Sequence, residues 1–149
     1  MKTLILGIGN LILTDDGVGI KIAQTLKDTK PELDVVETSE VGMALLELMA
    51  GYDKLIIIDS IKTEQGKPGE LHKLELADLK PPMCFASSHG IDIPTAIELG
   101  QRVGYQMPKK ISLYAVEVKD NSTFSEECTE EIRERIPFIT KQIIEEERI

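Results

Sequence analysis

Residues 1–22 read MKTLILGIGNLILTDDGVGIKI. Thr3 to Leu6 is a short apolar run that ends in Gly7-Ile8-Gly9-Asn10. An acidic turn follows, Thr14-Asp15-Asp16-Gly17, and then Val18, Ile22, Ala23 and Leu26 recur at helical spacing as far as Lys27. Strand, glycine turn and helix in that order open an open α/β sheet. Such sheets build their sites at the carboxyl ends of their strands, which is where this turn lies. A dinucleotide fingerprint needs Gly-x-Gly-x-x-Gly with an acidic residue at the end of the next strand. Gly7, Gly9 and Glu37 meet part of that pattern, but the third glycine position is Ile12. Two aspartates also stand where a pyrophosphate would sit, and their charge repels it.

Outward from this unit the chain continues in the same alternation. Lys30-Pro31 breaks the first helix, Asp34 to Thr38 reads as a second strand, and Gly42 opens an apolar helix through Met49 that stops at Gly51. Lys54 to Ile58 is an unbroken apolar run closed by Asp59-Ser60, the pattern of a central parallel strand buried on both faces. Glu70 to Leu76 reads as a charged edge strand, and Met83 to Ala86 as a further short strand. A helix is predicted after Asp92-Ile93-Pro94, and a strand from Lys110 to Val118. Ser125-Glu126-Glu127 is predicted to cap a last helix, which Pro137 should kink or split and whose end, from Glu145 on, should fray.

The predicted fold is a single α/β domain over residues 1–149. It has three layers, phosphorylase/hydrolase-like: a twisted, mostly parallel sheet of about five strands, with an antiparallel edge strand and helices on both faces. Right-handed crossovers place strand two on one side of strand one and strand three on the other. A crevice therefore opens between strands one and three, and Asp16 and Asp59 should meet there.

Composition narrows the function. Seventeen basic against twenty-six acidic residues give a net charge of −9, which argues against nucleic acid as a partner. No stretch approaches the ~18 apolar residues of a membrane span. Lys2 runs directly into the first strand with no small-residue cleavage site, so a cytoplasmic chain without a signal peptide is expected. Cys84 and Cys128 form no CxxC motif and are expected as reduced thiols.

Asp16, Asp59 and His89 each follow a predicted strand, so all three can converge at one end of the sheet. Two carboxylates and an imidazole suit zinc, nickel, manganese or iron, with positions left open for substrate or water. Each residue also has a plainer reading: a helix cap for Asp15 or Asp16, a turn for Asp59, a loop histidine for His89. His72 falls on the edge strand and is expected to be structural. Ser87 and Ser88 beside His89 lack the elbow motif of a serine nucleophile.

Taken together, Gly7-Ile8-Gly9-Asn10, Leu13-Thr14-Asp15-Asp16-Gly17-Val18-Gly19, Ile58-Asp59-Ser60 and Ser88-His89-Gly90 resemble the hydrogenase maturation proteases. The resemblance covers most of the chain. It implies a monomeric, aspartic-type endopeptidase that removes a C-terminal peptide from the nickel-loaded precursor of a nickel-iron hydrogenase large subunit. The family's metal-contacting acid, aspartate and histidine map onto Asp16, Asp59 and His89, and nickel in the precursor is the recognition element. Some members carry glutamate where Asp16 stands. Many also have a Gly-Thr pair after an acidic residue beyond strand two, where this chain has Thr38-Ser39-Glu40-Val41-Gly42. The alternatives are a metal-dependent hydrolase of a small molecule on the same fold, and a non-enzymatic binding module, either a nickel carrier or a nucleotide-binding domain.

Overall fold

The computed structural model describes residues 1–39, 43–75 and 93–149. Its elements are β1 (Thr3–Ile8), a 3₁₀ turn (Thr14–Gly17), α1 (Val18–Thr29), β2 (Asp34–Thr38), α2 (Met43–Met49), β3 (Lys54–Ile61), β4 (Leu71–Glu75), α3 (Ile93–Arg102), β5 (Lys110–Glu117) and α4 (Glu130–Glu147). Among the described residues the sheet has five strands in the order β2-β1-β3-β5-β4, all parallel except β4, which pairs antiparallel with β5 at the edge. β1 therefore has β2 on one side and β3 on the other, and the strand order switches between β1 and β3 as predicted. The candidate strand at Met83–Ala86, Cys84, Glu40, Gly42, Ser87, Ser88 and His89 lie outside the described residues.

Alternation along each strand sends side chains to two cores. On one face Leu4, Leu6, Leu55 and Ile57 meet Leu45, Leu46 and Met49 of α2 and Ile97 of α3. On the other, Ile5, Ile56, Ile58 and Tyr114 meet Val18, Ile22 and Leu26 of α1 and Ile132, Ile139 and Ile143 of α4. A strand that feeds both cores needs apolar residues at every position, and hence the unbroken Leu55–Ile58 run. No helix among the described residues is long and apolar enough to cross a membrane.

Four local expectations are corrected. Asp59 and Ser60 do not close β3; the strand runs through them to Ile61, because β5 continues alongside and pairs with Asp59, Ser60 and Ile61 through Ala115, Val116 and Glu117. Ser125 does not cap the last helix. Its hydroxyl accepts the Glu127 N–H at 3.1 Å in a preceding turn, and α4 begins one residue after Thr129. Pro137 does not split α4, which stays helical from Glu130 to Glu147 with buried Ile132 and Ile139 on either side of the proline.

The C-terminal end of α4 does not fray either. Glu147 is buried, 2.6 Å from Lys54 Nζ and 2.6 Å from the Tyr114 hydroxyl that donates to it, with Lys73 Nζ at 3.6 Å. Lys30 Nζ donates to the Ile149 carbonyl at 2.7 Å. Burial alone would raise the Glu147 carboxyl, but the hydrogen bonds from Lys54 and Tyr114 outweigh it and hold it below the ordinary glutamate value. This cluster joins Lys54, at the amino end of β3, to Tyr114 of β5 and Lys73 of β4, and pins the last helix to the sheet.

Removing one partner of a buried ion pair leaves the other charge uncompensated. Lys54→Met is expected to cost about 3 kcal/mol in urea denaturation at neutral pH. A lowered folded-state pKa means that the pair stabilises above the ordinary carboxylate range and weakens as pH falls through the folded-state value. The gap between wild type and variant should accordingly narrow in acid.

Candidate active site at the carboxyl ends of the central strands

The acidic turn is pressed against the sheet by close backbone packing. A Cβ on Gly9 would collide with the Asp16 carbonyl, and one on Gly19 would lie 2.7 Å from the Ile8 carbonyl and closer still to that of Ile58. Gly19 thus serves the tight helix–strand approach that Ile12 cannot, and the space over Gly9 is already filled by the chain itself. That packing is the physical reason the dinucleotide pattern fails here. Thr14 is held at φ +52°, a left-handed conformation that a β-branched residue adopts at a cost of roughly 1–2 kcal/mol. Its N–H donates to the Ser125 carbonyl at 3.0 Å and its hydroxyl to the Thr123 carbonyl. The strained residue turns the two aspartates that follow it inward, and both are buried.

Their roles separate. The Asp15 carboxylate accepts the backbone N–H groups of Lys119 at 3.1 Å, Asp120 at 3.0 Å and Thr129 at 2.7 Å, and the Thr129 hydroxyl at 2.9 Å. It ties the turn to the loop between β5 and α4, and those bonds use its acceptor capacity. Asp16 faces β3 instead. Ser60 Oγ donates to Asp16 Oδ1 at 2.9 Å, while the Ser60 N–H lies 2.7 Å from Asp59 Oδ1. Fully buried Ser60 therefore fixes both carboxylates at once. Burial drives the Asp59 pKa well above the ordinary aspartate value; the Ser60 N–H works against this, and the charge of Asp16 adds to it. A buried acid held toward its neutral form beside a second acid is an arrangement that a divalent cation would relieve.

The crevice thus brings together two of the three predicted site residues, Asp16 and Asp59. The third, His89, is outside the described residues, and among those described no third His, Cys, Asp or Glu joins the pair as a metal-ligating group. His72 is on edge strand β4, with Nε2 3.4 Å from buried Glu117 and with β5 between it and β3. Cys128 is buried with Sγ 3.7 Å from the Thr14 carbonyl, and burial pushes its thiol up to about 11, far from the thiolate that a cysteine nucleophile requires. Sequence reasoning missed Ser60 and the bracing role of Asp15. A serine directly after the aspartate of a central strand was the available signal for the first. The partners of Asp15 lie more than one hundred positions away and leave no local sign.

A family profile described as HycI, hydrogenase maturation protease, matches residues 20–146. The hydrogenase 2 maturation protease of Escherichia coli (strain K12) is 34% identical over 122 residues, covering 78% of this chain and 73% of that protein. The chain belongs to the hydrogenase maturation protease family. It is a peptidase with an endopeptidase role in hydrogenase maturation. The fold agrees. The hydrogenase-maturating endopeptidase HybD from E. coli superposes with a TM-score of 0.77 at 24% identity, over 99% of this chain and 93% of that one. The [NiFe] hydrogenase maturation protease HybD from Thermococcus kodakarensis gives 0.76 at 22%, over 97% and 98%.

Two variants of this maturation protease separate its aspartates. Asp15→Ala strips the acceptor from four donors and should cost about 3 kcal/mol, read as a lower Tm and faster proteolysis within residues 119–129. Asp59→Asn should do the reverse at pH 8. A raised folded-state pKa means that Asp59 contributes stability below the ordinary carboxylate range and loses it as pH rises through the folded-state value. The variant should melt above wild type in mild alkali, with the difference closing as pH falls to about 4.

Proposed function

We propose that this protease removes a C-terminal peptide from the nickel-loaded precursor of a nickel-iron hydrogenase large subunit, acting as a monomer, and that the nickel arrives with the substrate. The observation that carries the reading is the buried Asp16–Asp59 pair at the switch point of the sheet, with both acids held by one serine. Without a cation, one acid of such a pair is held toward its protonated form. A nickel ion presented by the precursor would let both ionise, with His89 as the nitrogen donor that the sequence motif assigns. Recognition then depends on the loaded metal, because an apo precursor offers the pair nothing to neutralise it. Docking through the ion would also hold the precursor's C-terminal segment in the crevice, where positioning accounts for much of the rate.

Purified protein incubated with nickel-loaded and nickel-free precursor, followed by intact-mass spectrometry, tests this directly. Loss of a C-terminal peptide from the loaded form alone is the expected result. His89→Ala and Asp16→Asn should each lower the rate at least a hundredfold while circular dichroism stays native. Equal cleavage of both precursor forms would discard the nickel gate and leave the peptidase. Unimpaired cleavage by the His89 variant would discard the site assignment.

A further inference from the structure

β3 separates the two cores of the molecule, and its last turns of alternation divide the crevice residues between them. Leu55 and Ile57 belong to the core with α2 and α3, while Ile56 and Ile58 belong to the core with α1 and α4. β3 stays paired with β5 beyond them, so Asp59 falls in the first series and Ser60 in the second, on the side of α1. From there Ser60 Oγ donates to Asp16 Oδ1 at 2.9 Å, in the turn that precedes α1, while the Ser60 N–H lies 2.7 Å from Asp59 Oδ1. The covalent frame of one residue therefore spaces an acid of the turn from an acid of the strand.

The two bonds differ in what they ask of the sequence. The N–H is there whatever side chain stands at position 60, whereas the hydroxyl requires serine. Ser60 is fully buried in a strand that is otherwise apolar from Leu55 to Ile58, so its hydroxyl must find a partner, and the one it has is an acid of the crevice. Ser112 of β5, also buried, offers a comparison. Its hydroxyl lies 3.5 Å from Glu147 Oε1, in the cluster that pins α4.

We propose that Ser60 is a positioning residue for substrate capture: its hydroxyl, by holding Asp16 Oδ1, sets Asp16 against Asp59 in the arrangement that receives the nickel of the hydrogenase precursor. The proposal rests on the function argued above and names the group on which its docking step depends. Ser60 acts through Asp16 and makes no contact of its own with the precursor. A carboxylate already oriented gives up little freedom when it takes a ligand, whereas one released to turn must be ordered during binding. Hydrogen-bonding partners of metal-ligating groups typically carry about 10–100-fold in affinity or activity for this reason. Because the contribution is made on docking, its loss falls on KM rather than on kcat.

The test measures cleavage of nickel-loaded precursor by wild type, Ser60→Ala and Ser112→Ala. Ser60→Ala removes the hydroxyl and leaves the N–H on Asp59; its KM should rise at least tenfold with kcat within threefold, while the Ser112 variant keeps the wild-type KM. Ser60→Thr and Ser60→Val share a shape and differ in the hydroxyl, so the valine variant should show the higher KM by the same margin; this pair carries the test should the alanine variant misfold. Adding Ser60→Ala to Asp16→Ala should change kcat/KM by less than twofold, since the hydroxyl has then lost the group it acts through. The Tm shifts of those two substitutions, read without any precursor, should likewise fail to add. A Ser60→Ala protein with wild-type KM, or one that loses only kcat as a merely less stable enzyme would, overturns the positioning role and leaves the proposed function standing. So does a tenfold loss that persists in the Asp16→Ala background, or additive Tm shifts. A wild type that does not cleave the loaded precursor overturns both.

Discussion

The hydrogen bonds converging on the Asp15 carboxylate are the constraint on which the site depends. A fully buried charge is tolerable only when its lone pairs are met, and here the donors come from both ends of the loop that leads into α4. The result is a closed arrangement: the turn that carries Asp16 cannot shift without breaking the start of the last helix. Local order that the sequence pattern alone would not supply, including a left-handed threonine, is held in place by this long-range clamp.

Next to it lies the opposite solution to the same problem. Asp15 is given donors in excess, whereas Asp16 and Asp59 face each other with Ser60 reaching both. Asp15 is thus tied to the 119–129 loop, while its neighbour is tied to β3 through Ser60. The division follows from geometry: consecutive residues in a 3₁₀ turn project in different directions, one toward the 119–129 loop and one toward β3. Burial raises the Asp59 carboxyl well above the ordinary aspartate range, and the charge of Asp16 adds to that.

Much of this was legible in the residues. The apolar run at Leu55–Ile58, the glycine turn and the spacing of the acids determined the switch point and the meeting of Asp16 with Asp59, because they depend on short-range pattern and on the handedness of crossovers. Features set by distant partners were not. Glu145–Ile149 reads as a solvated tail since three glutamates in a row carry no sign of Lys54 and Tyr114. Ser125 reads as a helix cap, but its segment is recruited as a strand partner for Leu13. Pro137 reads as a break, yet packing of the isoleucines on either side carries the helix through it. In each case tertiary burial overrode a sound local preference.

The double anchorage of α4 has a consequence in time. Its start is fastened to residue 15 and its end to residue 54, so both the crevice and the far end of the sheet await the last quarter of the chain. At the usual pace of synthesis, roughly 5–20 residues per second, the acidic turn leaves the ribosome on the order of 10 s before its clamp exists. A half-made chain therefore carries the aspartates but not the site. Both fastenings of the acidic turn and of the sheet to the last helix become possible only once α4 has been made.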